Sequence, residues 1–307
     1  MAVLDKEQEG VVGLKESTIC IAGPGSGKTR VLTEKARDLM SQGKDIICIC
    51  FTRSAAREMG SRVPNLPATT IHSYCNGVVG WNEDWEYTGL LYRYLLEKDK
   101  RRFDWVLLDE AQDLNTLELD VVMSMVGDKF FAVGDPYQSI YGFQGALGME
   151  ALNKLAYAGG EVVELRNNYR SCSKIVSQLN KLYNRRLVSC NTKDTGITAV
   201  LCRTNDDVFF ASKEFEKRGI PHRLRVAVDR AKDDKREYDI LGESSIKLST
   251  IHVSKGQEFD RVILFGWKPQ ELEGEEKRVY YVAYSRASKE FKEVETIEEV
   301  LREVNKS

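Results

Sequence analysis

Apolar residues fall along this chain in short bounded runs, and stretches of helical length and polarity separate them. Thr18 to Ala22, Ile46 to Phe51, Phe103 to Asp109 and Phe130 to Gly134 read as strands covered on both faces, since they lack the strict alternation of a half-exposed strand. RVLTEKARDLM, residues 30–40, has the pattern of a helix after the first run. The second half repeats the rhythm more loosely. Its strand candidates are Val162 to Leu165, Ala199 to Cys202, Ile246 to Ile251 and Arg261 to Gly266, with helices near Ser173 to Tyr183, Asp207 to Arg218 and Glu276 to Ala287. Strands alternating with helices predict an α/β fold, a parallel sheet with helices on its faces. Gly159 and Gly160 punctuate the middle, so the expected boundary separates residues 1–160 from residues 161–307. VDRAKDDKREYDILGE, residues 228–243, is densely charged and reads as a solvated connection with little core of its own.

A length of 307 residues fits about two domains, and 42% hydrophobic residues suffice for a core in each. The first residues, MAVLDKEQEG, are acidic and polar rather than a basic stretch leading into an apolar one, and no 18-residue apolar run follows. The expectation is a soluble cytoplasmic protein with no membrane partner. Seven cysteines include no C-x-x-C pair. Cys20, Cys48, Cys50 and Cys202 sit inside apolar runs, where a reduced thiol packs as a small hydrophobe. A net charge of −2 excludes attraction of nucleic acid by the overall field, so any such binding must use a local groove.

Two of the apolar runs end in residues suited to phosphate chemistry. After STICIA comes GPGSGKT, whose Gly23, Gly25 and Gly27 let the backbone turn sharply with its N–H groups inward. The following helix presents its positive end to a polyphosphate, so Gly25, Ser26 and Gly27 form the cradle and Lys28 reaches the β and γ phosphates. Thr29 offers a hydroxyl to Mg2+, and Asp109, at the end of FDWVLLDEAQD, shares that ion directly or through water. Glu110 is left to orient and deprotonate water. The strand before AGPGSGKT and the helical pattern after it set aside an ordinary Gly-rich turn, whereas Asp109 with Glu110, read apart from that loop, is as well a helix-capping or solvated pair. Their companionship decides for a nucleotide-hydrolysing site using ATP and Mg2+. Ala22 stands where the strict phosphate-loop pattern has Gly, but the later glycines build the anion nest.

Further segments stand in a fixed order around these two: LDKEQ, FTRSAAREM, TIHSYC, AVGDPYQSIYGFQGA, ELRNNYRSC, LSTIHVSKGQEFDRVIL and EEKRVYYVAYSRAS. Together with the nucleotide motifs, this series resembles the UvrD/Rep branch of superfamily 1 DNA helicases over nearly the whole chain. The resemblance implies two RecA-like lobes with ATP in the cleft between them and single-stranded DNA across their top. It also implies roles. Gln8 reads adenine, Arg30 and Tyr169 flank the base, Glu258 meets the ribose and Gln138 senses the γ phosphate. Arg170 and Arg286 are the two arginines of the second lobe, whose planar guanidinium groups stabilise charge on the transferring phosphoryl group. Phe51, Tyr141 and Phe143 match base-stacking positions, while Thr52, Arg53, His72 and His252 match contacts to the DNA backbone. The lesser alternatives are that Phe51, which ends a strand, fills core, and that His72 and His252 are satisfied core histidines.

The chain departs from the family's pattern in three places. Phe143 and Gln144 replace a Trp followed by an Arg, and Gln257 replaces a Leu. The accessory domains that relatives insert in each lobe look almost absent. Only residues 76–102 remain in the first lobe, where Trp81, Trp85, Tyr87, Tyr92 and Tyr94 form either a small helix packed on the lobe or a surface that meets duplex DNA. The implied activity is ATP-dependent 3′ to 5′ translocation on single-stranded DNA, with unwinding or recruitment supplied in part by a partner protein. Two alternatives stay open, an ATP-gated clamp acting beside a partner enzyme and an RNA-directed motor.

Overall fold

The computed structural model describes residues 4–80, 87–190, 195–229, 234–268 and 273–306. Two compact units divide between Arg166 and Asn167.

The first unit contains α1 (Lys6–Val12), β1 (Thr18–Ala22), α2 (Lys28–Ser41), β2 (Ile46–Ile49), α3 (Arg53–Arg62) and β3 (Ala68–Thr69). It continues through α4 (Ile71–Val79), α5 (Tyr87–Leu96), β4 (Phe103–Leu108), α6 (Thr116–Met125), β5 (Val126–Gly134), α7 (Met149–Tyr157) and β6 (Glu161–Leu165). The strands form one parallel sheet in the order β3-β2-β4-β5-β1-β6. Neighbouring residues of one strand feed opposite cores, as the near-continuous apolar runs require. On β5, Phe130 and Ala132 pack with α4 to α7, while Phe131 and Val133 pack with α2 and α3.

The expected boundary at residue 160 is six residues early. Val162 to Leu165 belongs to β6, which pairs with β1 from Thr18↔Glu161 to Ala22↔Leu165 and so closes the first sheet. The glycines end α7 instead. A Cβ on Gly160 would lie 2.2 Å from Ile19 Cδ1, so this position admits the chain to the sheet edge only as glycine.

The second unit contains β7 (Asn167–Asn168), α8 (Ser173–Tyr183), β8 (Val188–Ser189), β9 (Thr198–Cys202), α9 (Asn205–Lys217), β10 (His222–Asp229) and β11 (Asp234–Ile240). It ends with β12 (Ile246–Thr250), β13 (Phe259–Phe265), α10 (Gly274–Ser285), β14 (Ala287–Val294) and α11 (Ile297–Val304). The sheet order is β11-β10-β12-β9-β13-β14, parallel except for the antiparallel β10–β11 edge.

Here the sequence reading needs two corrections and lacks one helix. Much of the charged stretch expected to be a connection pairs as β10 and β11, from His222↔Ile240 to Asp229↔Asp234; residues 230–233 of that stretch lie outside the described residues. Its charges fit an edge ribbon, where Asp239 meets Arg223 at 3.3 Å and Glu237 meets the buried Lys247 of β12 at 2.7 Å. The helix expected to reach Ala287 stops at Ser285, because Ala287 already pairs with Phe259 as β14 begins. The closing helix α11 follows a capping box on Thr296, with Glu299 answering.

Residues 87–96 of the reduced insertion pack on the first unit as α5, through Leu90, Leu91 and Tyr94, with Tyr94 set 5.8 Å from Tyr74. Tyr92 remains 61% exposed, and Trp81 and Trp85 lie outside the described residues. Cys20, Cys48, Cys50 and Cys202 are buried free thiols, as expected. Among the described residues, no helix is long and apolar enough to cross a membrane.

Candidate nucleotide and nucleic-acid site

Strand β1 releases the chain at the edge of the first sheet, and the loop from Gly23 to Gly27 turns it back into α2. Gly25 and Gly27 hold φ angles of 69° and 85°, a region that side-chain-bearing residues avoid. Ser26 fastens the turn with its hydroxyl on Gly23 O at 2.7 Å. Gly27 caps α2 without a side-chain hydrogen bond, so the helix opens with N–H groups suited to an anion. Lys28 Nζ rests on Ala22 O at 3.2 Å, at the mouth of this loop. Ala22 itself is fully buried, and its methyl is accommodated in the core.

Gln8 lies against the same loop. Asp5 and Gln8 form a capping box that starts α1, and Gln8 Nε2 donates to Ser26 O at 3.0 Å. A Cβ on Gly27 would come within 2.7 Å of that nitrogen, so glycine here is required by close approach as well as by φ. Arg30 is half-buried one turn into α2, and its Nη2 is buried with no hydrogen-bond partner among the described residues. A buried donor in that condition points to a ligand acceptor.

Asp109 and Glu110 follow the last residue of β4. Asp109 N still donates to Ile49 O at 3.0 Å, which fixes the carboxylate at the sheet edge. Its Oδ1 is buried without a hydrogen-bond partner among the described residues. Burial and the neighbouring Glu110 charge push its pKa up to about 7, against the opposing pull of Lys28. A divalent cation would supply the missing partner, so the buried Asp109 carboxylate fits a Mg2+ ligand. Glu110 adopts φ 52° and ψ 46°, a left-handed conformation that costs a non-glycine residue roughly 1–2 kcal/mol. The Glu110 side chain makes no capping hydrogen bond to the turn it precedes, whose Asp113 N donates instead to Glu110 O at 2.9 Å.

Behind Glu110 runs a polar network the sequence reading left unassigned. Gln112 donates to the Glu110 carboxylate at 2.5 Å and accepts from Asp135 N at 2.9 Å. Asp135 in turn accepts from Gln138 Nε2 at 2.7 Å, and Ser139 Oγ donates to Gln112 O at 3.3 Å. Gln112 and Asp135 are fully buried. Their signal in the sequence was polar residues within DEAQD and GDPYQS, directly after buried strands.

That network leads into the turn carrying Tyr141 and Phe143. Phe51 and Tyr141 have ring centroids 5.1 Å apart, and Tyr141 and Phe143 6.1 Å apart. Phe143 is 62% exposed, and Phe51 lies beyond the end of β2 and is only partly buried, so the structure does not place it in the core. Thr52 caps α3 through Ala55 N at 3.1 Å, Arg53 is exposed at the start of that helix, and His72 is half-buried at the start of α4.

In the second unit, Asn168 Oδ1 gathers the N–H groups of Arg170 and Ser171 at 2.9 and 2.7 Å and so shapes the turn bearing Tyr169, which is half-buried. Arg170 Nε pairs with Glu258 at 3.0 Å, and its Nη1 reaches Ser285 O at 3.1 Å. Arg286 is 1% exposed and donates to Gln257 O at 3.0 Å, Val282 O at 3.2 Å and Ser285 Oγ at 2.9 Å. Arg170, Arg286 and Glu258 thus form one polar cluster, a grouping not evident from their separate motifs. Gln257, in the place of Leu, donates to Val253 O at 3.2 Å and is accommodated by polar contact. His252, half-buried, follows β12.

A family model described as an AAA domain matches residues 8–144, and one described as a UvrD-like helicase C-terminal domain matches residues 225–292. DNA helicase II of Escherichia coli is 25% identical over 286 residues, a match covering 58% of this chain and 40% of that protein. The chain therefore spans well under half the length of that relative. Among solved structures, Pif1 helicase from Candida albicans aligns over 99% of this chain and 100% of its own with a TM-score of 0.60 at 15% identity. Bacteroides Pif1 bound to ssDNA aligns over 100% and 97% with a TM-score of 0.55 at 15% identity. These likenesses bear on the fold, two RecA-like lobes. With both family models matched in order, and the phosphate loop and strand-end carboxylates in place, the chain belongs to the UvrD-like superfamily 1 helicases.

Proposed function

We propose that the chain is an ATP-hydrolysing motor that moves along single-stranded DNA. One observation carries this reading: a continuous polar line runs from Glu110 through Gln112 and Asp135 to Gln138, directly before the aromatic residues Tyr141 and Phe143. A change at the γ phosphate is thereby felt where bases stack. The loop N–H groups and Lys28 bind the phosphates, while Gln8, Arg30, Tyr169 and Glu258 hold the nucleoside. Thr29 and Asp109 would hold Mg2+, which would neutralise phosphate charge. Glu110 orients water and takes its proton. Arg170 and Arg286 stabilise charge on the transferring group, which makes hydrolysis depend on both units.

Phe51, Tyr141 and Phe143 accept any base face, and Thr52, Arg53, His72 and His252 contact the sugar-phosphate chain. A structural neighbour whose description is a complex with single-stranded DNA supports the choice of ligand. The direction, 3′ to 5′, is taken from the resemblance to the UvrD/Rep branch. An ATP-gated clamp working beside a partner protein is the second reading, favoured by the reduced insertion around α5.

Displacement of streptavidin from strands biotinylated at either end tests motion and direction together. Faster ATP-dependent release from the 5′ end supports the motor and its direction, and release from the 3′ end reverses the direction. ATP hydrolysis stimulated by the strand without release from either end favours the clamp. Stronger stimulation by RNA than by a matched DNA strand transfers the reading to RNA.

A further inference from the structure

Between Glu164 and Asp194 the chain carries seven Lys and Arg residues and no Asp or Glu, although the whole chain has more acids than bases, 47 against 45. Most of that basic stretch builds α8 and the return through β8, and between them lies a groove of about 450 Å³. Its size is that of a small-molecule site. No carboxylate is among its lining residues.

One wall is a face of α8, where Ser173, Ser177 and Lys181 recur at helical spacing, continued by Asn184 at the helix end. None of these four side chains makes an ion pair or hydrogen bond among the described residues, so each is left to water or a ligand. Asn184, with φ 48° and ψ 45°, turns the chain back to form the other wall. That wall carries Arg185, which is 8% exposed and whose Nη1 donates to Tyr281 OH at 3.0 Å, and Ser189, whose Oγ donates to Ser171 O at 2.8 Å. Asn180 ties the walls together, donating to Leu187 O and accepting from Leu187 N, both at 2.9 Å. The groove is therefore preformed. An ammonium, a guanidinium, hydroxyls and an amide with no carboxylate beside them suit two adjacent phosphates. The walls also flank the turn bearing Tyr169 and Arg170, because α8 follows that turn and β8 pairs with β7 just before it.

We propose that this groove binds a small ligand carrying a diphosphate, in addition to the phosphate loop of the first unit. Calorimetric titration of the full chain with inorganic pyrophosphate tests it, with Lys28→Ala in place to weaken the phosphate loop.

The Lys28→Ala chain should keep one pyrophosphate site. In that background Ser177→Glu, which sets a carboxylate in the groove from an exposed helical position, should raise Kd roughly ten-fold or more, while Lys181→Arg should stay close to its parent. Uridine diphosphate separates the sources of the ligand: binding tighter than that of pyrophosphate marks a nucleotide, and weaker binding an inorganic diphosphate. The site is overturned by an absence of binding in Lys28→Ala, by an affinity that Ser177→Glu leaves unchanged, or by equal competition from sulfate, which would show an adventitious ion only. No nucleic acid enters the titration, so its failure leaves the motor reading untouched.

Discussion

Asp109 sits where burial and function oppose each other. Its carboxyl is pushed up to about 7 from an ordinary 3.8, so the folded chain holds a proton there that the unfolded chain has already released. Stability must therefore fall as pH rises from about 4 through about 7, by an amount on the order of a few kcal/mol without Mg2+. Asp109→Asn removes the conflict. In chelator the variant should melt higher than wild type at pH 8 and close to it near pH 4, while losing ATP hydrolysis; equal melting at both pH values would refute this account. Glu110 sets a different test. Glu110→Gln should reduce turnover by roughly 100-fold or more while ATP still binds, which single-turnover hydrolysis beside equilibrium nucleotide binding measures directly.

Among the elements, α1 and α2 are tied by Lys35, which is 2% exposed and donates to Val12 O at 3.1 Å and to Leu14 O. Its ammonium lies 4.7 Å from the Trp105 ring, and burial lowers its pKa. The cation holds the end of the short helix whose start carries Gln8. Lys35→Met should weaken ATP binding by loosening α1, and combined with Gln8→Ala it should add little, because both changes act on one contact. Full additivity in ATP affinity would separate them.

The elements also explain what could be read from the chain. Thr18 to Ala22 and Ser173 to Tyr183 were legible because each is bounded and strongly patterned, and the structure keeps those limits. β10 and β11 were not, since an edge ribbon facing water carries the charge density of a loop. β6 was assigned to the wrong unit, because glycines mark a turn without saying which sheet receives the next strand. The phosphate loop and strand-end carboxylates were legible from spacing alone. Gln112 and Asp135 were passed over because their importance lies in being buried together.

For the whole molecule, a charge of −2 means that strand binding draws on local grooves rather than the overall field. The proposed chemistry is divided between the two units. The first carries the phosphate loop, Asp109 and Glu110, and the second carries the Arg170, Arg286 and Glu258 cluster. On the proposed motor function, ATP hydrolysis is slow until a strand engages the chain. The steady-state rate of ATP hydrolysis by the full chain, titrated with single-stranded DNA, tests this most directly. The account predicts a saturable rise of about ten-fold or more, as expected when strand binding completes a catalytic arrangement, and its loss in both Lys28→Ala and Arg170→Ala. A rate indifferent to DNA, or one retained in Lys28→Ala, would contradict it.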